Sequence, residues 1–500
     1  MPDYQLPIIN AMSNHKKEIL PTLVSLAIAG CVIAGGLWFA GNFFKQKKSV
    51  DRTSSPNSSP SPSPNINVED RISFGDKMLI KQEEVNQTSP EFQAAKQRGI
   101  TAMAQGNYQQ AIQEFETAIG KYRNAPETLI YLNNARIGDK KSYAIAVVPP
   151  IDPSVNYNID SALTILRGIA QAQDEVNQSG GINGVPLKVI IANDDDDAKI
   201  AKQIAAALAK DSQILGAIGH YSSGTTLAAK DVYDAEKLTV ISSTSTAVKI
   251  TNSSPFLFRT VPSDYAAARK LADYMCKTLK KKNASVFYSP ESAYSQSLKD
   301  EFATALGAEC GKVVDEQILS KSSVGFDAYK GVKQAIDRGA EVIMLAAPDD
   351  RLDEAAQVIQ NNNKRLSLLG GDALYHNKIL KNGLDEATGM VLAVAWHINS
   401  NPNSKFVQNS RQLWSADVDW NTAMTYNAAE AFIEALRRNN NPTRVSIKDT
   451  LAATDFSAPG VSDRIQFLPS GDSNTPVQLV EIRAVENSRS LTGYDFVPIK

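Results

Sequence analysis

Four short segments of this 500-residue chain carry residue types that could hold a small charged solute. They are His220-Tyr221-Ser222-Ser223-Gly224-Thr225-Thr226, Ser243-Thr244-Ser245-Thr246, Glu291-Ser292-Ala293-Tyr294-Ser295, and Asp372 after Gly370-Gly371. Hydroxyls and backbone N–H groups at the start of a helix accept a carboxylate or phosphate. An acid beside an aromatic ring suits an ammonium group. Together the set fits a zwitterion. Each piece alone has an ordinary reading: serine and threonine after a strand cap helices, Asp372 fits a turn, and Tyr294 fits packing. The run Asp194-Asp195-Asp196-Asp197 lacks the ligand spacing and glycine of a calcium loop. It precedes a helix, where acids complement the dipole. Ser222 and Ser223 lie near His220, but no G-x-S-x-G elbow surrounds them. Dinucleotide and Walker fingerprints are missing too. His15, His220, His376 and His397 have no zinc-ligand spacing. The residues therefore point to binding without a cofactor, a metal or catalysis.

The elements that must position these residues alternate. Strands are expected at 143–148, 187–192, 214–219, 238–242, 284–289, 312–319, 341–347, 367–371 and 389–396. Helices are expected at 160–178, 198–210, 225–236, 264–282, 295–308, 328–338, 351–362 and 421–438. The strands read as continuous apolar runs, as buried parallel strands must. Such alternation predicts an α/β architecture of parallel sheets flanked by helices. About 350 residues exceed one such sheet, so two lobes are expected. Ligands of open parallel sheets sit beyond the carboxyl ends of the strands, which is where the four segments fall.

Lys+Arg 52 against Asp+Glu 54 gives a net charge of −2, which argues against nucleic acid as the partner. Residues 19–44 are uncharged and strongly apolar, long enough for a transmembrane anchor. Within them Ile28-Ala29-Gly30-Cys31 resembles a bacterial lipobox, with Cys31 the residue that would be lipidated, yet the apolar run continues to Phe39. Two lysines precede the span and three lysines plus Arg52 follow it, a weak preference for a cytoplasmic C-terminal side. A Ser/Pro-rich linker at 45–70 has no means to form a core. Residues 71–142 read as a short strand region and a hairpin with tetratricopeptide-like spacing at Gly99, Ala102, Ala111, Phe115 and Ala118. One repeat is too few for a solenoid, which leaves a hairpin packed on the next domain or a partner-docking module.

From residue 143 to about 485 the chain resembles the type I periplasmic solute-binding proteins, specifically the branched-chain amino-acid (Leu/Ile/Val) binding family of ABC importers. The resemblance rests on the order and spacing of Arg167-Gly168, Asn177-Gln178-Ser179-Gly180-Gly181-Ile182-Asn183-Gly184, Ile218-Gly219-His220-Tyr221-Ser222-Ser223, Ile241-Ser242-Ser243-Thr244-Ser245-Thr246, Phe258-Arg259-Thr260 and Tyr294-Ser295-Gln296-Ser297-Leu298. It implies a two-lobed domain at 143–500 with three crossovers. Lobe 1 would hold about 143–261 and 397–460, and lobe 2 about 262–396 and 461–500. The implied ligand is an α-amino acid, neutral or branched-chain, delivered to ABC permease subunits. Its carboxylate would meet Ser223, Ser245 and Thr246; its ammonium would meet Asp372, with Tyr294 alongside. A second lobe-two tyrosine of the family falls at Pro348, a departure. Cys276 and Cys310 would lie at the lobe end away from the cleft, as a disulfide in an extracytoplasmic domain or as two buried thiols. The implied location is the inner membrane, single-pass, with residues 45–500 facing the periplasm. A receptor domain sensing an amino acid in signalling is the alternative.

Overall fold

A computed structural model describes residues 67–81, 88–152, 156–321 and 325–499. The expected anchor at 19–44, Cys31 and nearly all of the linker lie outside the described residues. Among the described residues no helix is long and apolar enough to cross a membrane.

Two sheets organise the structure. The first contains β1 (Ile72–Ser73), β2 (Tyr143–Val147), β3 (Leu187–Ala192), β4 (Ile214–Ile218), β5 (Thr239–Ser242) and β6 (Leu257–Arg259), in the order β1-β3-β2-β4-β5-β6. The second contains β7 (Asn283–Tyr288), β8 (Lys312–Ile318), β9 (Val342–Ala346), β10 (Ser367–Gly370), β11 (Val391–Val394), β12 (Gln478–Ala484) and β13 (Tyr494–Pro498), in the order β13-β12-β11-β10-β9-β7-β8. Pairing is parallel except for β1 on β3, β12 on β11 and β13 on β12. Every residue of β2, β5 and β9 is buried, because helices cover both faces of the sheets.

The helices before the first lobe are α1 (Pro90–Ala104), α2 (Tyr108–Lys121) and α3 (Pro126–Ile137). Ser89 caps α1 by accepting from the Phe92 N–H, with Pro90 at the first position. Gly99 lets α1 and α2 close up: a Cβ there would stand 2.5 Å from the Phe115 ring. α3 was not foreseen. It is buried nearly all round, so it lacks the one-sided apolar stripe that marks a surface helix. Its Asn134 side chain donates to the Val189 carbonyl (2.7 Å) and accepts from the Val189 N–H (3.2 Å). The amide thus acts as one rung of a ladder and, with β1, covers the outer edge of β3. A buried Lys96–Glu127 ion pair ties α1 to α3, and Glu127 also accepts from Leu79 N, Ile80 N and Tyr131 Oη. The hairpin region therefore packs on the first lobe.

In the first lobe lie α4 (Asn156–Gln178), α5 (Ala198–Lys210) and α6 (Ser223–Ala235); in the second, α7 (Asp264–Asp273), α8 (Ala293–Glu309), α9 (Ala328–Asp337), α10 (Leu352–Asn362) and α11 (Asn377–Gly383). α7 runs on as a π-helical turn, Tyr274–Leu279. α12 (Lys405–Trp414), α13 (Trp420–Arg437) and α14 (Arg444–Leu451) return to the first lobe. There Gly168 of α4 meets α13 so closely that a Cβ would lie 2.4 Å from the Thr422 carbonyl oxygen. The chain passes between lobes after β6, after β11 and after α14, which makes the three crossovers. Arg259, at the end of β6, ties the first of them to the third. Fully buried, it pairs with Asp472 (2.6 Å) and donates to the carbonyls of Thr246 (2.9 Å) and Ala247 (3.0 Å). One guanidinium thereby fixes a cleft loop and the third crossover together. The Sγ atoms of Cys276 and Cys310 are 2.01 Å apart, at bonding distance, joining the π-helical turn to the end of α8.

Candidate functional site

A cavity of about 450 Å³ lies between the lobes. Its walls are the segments that follow β2, β3, β4 and β5 in one lobe and β7, β9 and β10 in the other, closed by the start of α13. This is the place that topology reserves for a ligand in parallel sheets.

Of the five residues singled out in sequence, Ser223, Tyr294 and Asp372 line this cavity. Ser245 and Thr246 do not; Thr244 lines it in their loop. The reason is local. Ser245 Oγ is drawn inward to Thr226 Oγ1 (2.8 Å) and the Tyr221 carbonyl (3.1 Å). Thr246 is buried beside Asp264, whose N–H donates to its carbonyl (2.8 Å), and its hydroxyl has no hydrogen-bond partner. Pro348, in the place of the family's second tyrosine, lines the cavity without a donor.

The first-lobe wall is built on the N-terminus of α6. Ser222 caps it through the Thr225 N–H. Ser223 Oγ accepts from Ala247 N (3.1 Å), which leaves its O–H to donate. Asp196 also sits at this helix end: its Oδ1 accepts from Ser222 N (3.3 Å) and Thr225 Oγ1 (3.0 Å). The four-aspartate run thus divides its work. Asp194 holds His220 Nδ1 (2.6 Å), Asp195 pairs with Arg71 (2.6 Å), Asp196 faces the cleft, and Asp197 caps α5 through Lys199 N and Ile200 N. His220 gives its other ring nitrogen to Tyr233 Oη (2.9 Å). Both ring nitrogens are engaged away from Ser222 and Ser223, so no serine–histidine pair forms.

On the second-lobe wall, Asp372 opens a short 3-10 turn and accepts from the Ala373 N–H (3.0 Å). Tyr294, from the start of α8, brings its buried Oη beside this carboxyl without a partner of hydrogen-bond geometry. Burial pushes the Asp372 carboxyl up to about 6, against a lowering contribution from Tyr294. Asp349, like Asp196 and Asn421, is a cavity residue that sequence reasoning missed. It follows β9 and accepts from Tyr221 Oη (2.9 Å), a hydrogen bond across the cleft, while Ser161 Oγ donates to the same tyrosine (3.0 Å). Burial and the charges of Asp372 and Asp196 push Asp349 up to about 7. Burial and the Asp194 charge do the same to Asp196, again to about 7. The arrangement is a solute cleft with hydroxyl and N–H donors on one wall and carboxylates on both.

Known proteins agree with this architecture. The sequence profile of the periplasmic binding protein family matches residues 156–488. An amino acid binding protein of Pseudomonas aeruginosa is 28% identical over 40% of this chain and 53% of its own length, so the match spans about half of that relative. Leu/Ile/Val-binding protein homolog 3 of Brucella melitensis is 23% identical over 55% of this chain and 74% of that one. Among solved structures, an ABC transporter substrate-binding protein from Desulfitobacterium hafniense in complex with Leu superposes with a TM-score of 0.60 at 21% identity, over 71% of this chain and 100% of that one.

Proposed function

We propose, for a chain that belongs to the periplasmic binding protein family, that it captures an α-amino acid between its two lobes and delivers it to an ABC importer. One observation carries this reading: Asp372 with Tyr294 on one wall and Ser223 with the α6 N-terminus on the other line a single cavity. A bound ammonium beside Asp372 supplies the counter-charge that a buried carboxylate lacks. A ligand carboxylate takes the Ser223 hydroxyl and the free N–H groups of α6. Because these groups belong to different lobes, a ligand touching both stabilises the closed state over the open one. The relatives' names, amino acid binding and Leu/Ile/Val-binding, support the ligand class. We further propose that residues 19–44 tether the chain to the inner membrane, with 45–500 facing the periplasm and the permease subunits as partners. The Cys276–Cys310 bond fits that oxidising side.

Calorimetric titration of the full chain with the common α-amino acids tests the reading. Saturable one-to-one binding of at least one is expected. Heats at the level of dilution for every amino acid would refute it.

A further inference from the structure

The cleft wall has a charge imbalance that a neutral amino acid leaves uncorrected. Nine carboxylates line it, against one guanidinium, Arg351, and one imidazole, His376. Arg351 is fully committed: it donates to the Leu319 carbonyl (3.0 Å) and pairs with Asp350 and with Glu291 (3.3 Å). Arg71 takes Asp195, and His376 faces Asp160 at 3.9 Å. Of the other five, Asp419 caps α13 near the charge of Arg167 and Asp152 is engaged elsewhere; among the described residues none of Asp196, Asp349 and Asp372 forms an ion pair. An amino acid's ammonium offsets one carboxylate. Its own carboxylate then adds a negative charge to the wall that already holds Asp196 at the α6 N-terminus.

A second, independent feature points the same way. Asn421 lines the cavity and is 8% exposed. Its Oδ1 has no hydrogen-bond partner. A buried orphan acceptor costs free energy until a donor reaches it, and a protonated nitrogen is such a donor. Three carboxylates without an ion pair and one carbonyl without a donor can all be answered by a protonated nitrogen.

We propose that the cleft selects a small aliphatic cation with at least two protonated nitrogens, one met by Asp372 and the next by Asp349 and Asp196. This rests on the cleft being the ligand site, as argued above, and it replaces the neutral side chain that the family resemblance implies. The carboxyls of Asp196, Asp349 and Asp372 are all raised by burial, and a bound cation would favour their charged form. The shared chemistry is a terminal ammonium on an alkyl chain, carried either by a basic amino acid or by a diamine.

The test is competitive calorimetry on the full chain with lysine, ornithine, putrescine, spermidine and leucine, repeated on Asp349→Asn and Asp196→Asn. Folding of each variant is checked by its urea midpoint. A cation that binds at least about tenfold tighter than leucine, and loses about tenfold or more in either folded variant, supports the inference. Lysine or ornithine binding with the diamines failing identifies a basic amino acid. The reverse identifies a polyamine, upholds the cation inference and refutes the amino-acid reading alone. Leucine binding without any cation overturns this inference and leaves the amino-acid reading standing. Cation affinity unchanged in both variants also overturns it, and no binding at all overturns both.

Discussion

Replacing Asp349 by Asn makes a stability measurement report on the cleft. The carboxyl is raised from 3.8 to about 7 by burial and by its acidic neighbours, while Tyr221 Oη donates to it. Asparagine keeps an acceptor for that hydroxyl and cannot ionise. A carboxyl whose native pKa is raised binds its proton more tightly in the folded chain than in the unfolded one, so its contribution to stability falls as pH rises from about 4 through about 7. Integrated between about pH 5 and about pH 8, one such group costs the wild type up to about 2.6 kcal/mol that the variant does not lose. The site is half-buried at a cleft wall, and solvent in the cleft reduces this to roughly 1–2 kcal/mol. Urea unfolding of both proteins at the two pH values reads the difference. The variant is expected to gain on the wild type as pH rises. The same pH dependence in both proteins would refute the claim that Asp349 faces the cleft as an uncompensated acid.

Other perturbations test the frame. Glu127→Ala leaves the buried Lys96 ammonium without its counter-charge, which costs about 3–5 kcal/mol; an unchanged melting temperature would contradict this. Asp472→Ala strips the fully buried Arg259 of its partner and should cost at least about 3 kcal/mol, read as a lowered urea midpoint. Replacing Cys276 and Cys310 by serine opens a loop with a sequence separation of 34, worth up to about 4 kcal/mol; a reducing agent should weaken the wild type and leave the variant unaffected. Gly99→Ala forces a methyl against Phe115 and should destabilise by about 1–3 kcal/mol despite alanine's better helix propensity, as measured by thermal melting.

The parallel framework was legible because buried parallel strands leave largely apolar runs, and the nine expected strands matched β2–β5 and β7–β11; β8 is the exception in kind, an edge strand that carries Lys312, Asp315 and Glu316. What escaped had no such mark. β6 is three residues long. β12 and β13 are antiparallel strands whose exposed faces carry Glu481, Arg483 and Asp495, so charge interrupts the pattern. α3 hides polar residues such as Asn133 and Asn134 inside, where periodicity gives no signal. The site was partly legible: Ser223, Tyr294 and Asp372 follow strands and carry distinctive chemistry. Ser245 and Thr246 were placed by resemblance, yet the loop turns Thr244 to the cavity instead. Asp196 was read with its neighbours as a helix-opening acid. Only the left-handed backbone at Asp195 and Asp196 (φ 52° and 57°) separates it from Asp197 and aims it at the cleft. Asp349 follows a strand end like the others, and that position was the one available signal for it.

The most direct test of the central claim is calorimetric titration of the full chain and of Asp372→Ala with whichever amine the wild type binds. Loss of binding in a variant that stays folded is the predicted result, because the ammonium would lose the carboxylate it meets beside Tyr294. Wild-type affinity in Asp372→Ala would contradict the account.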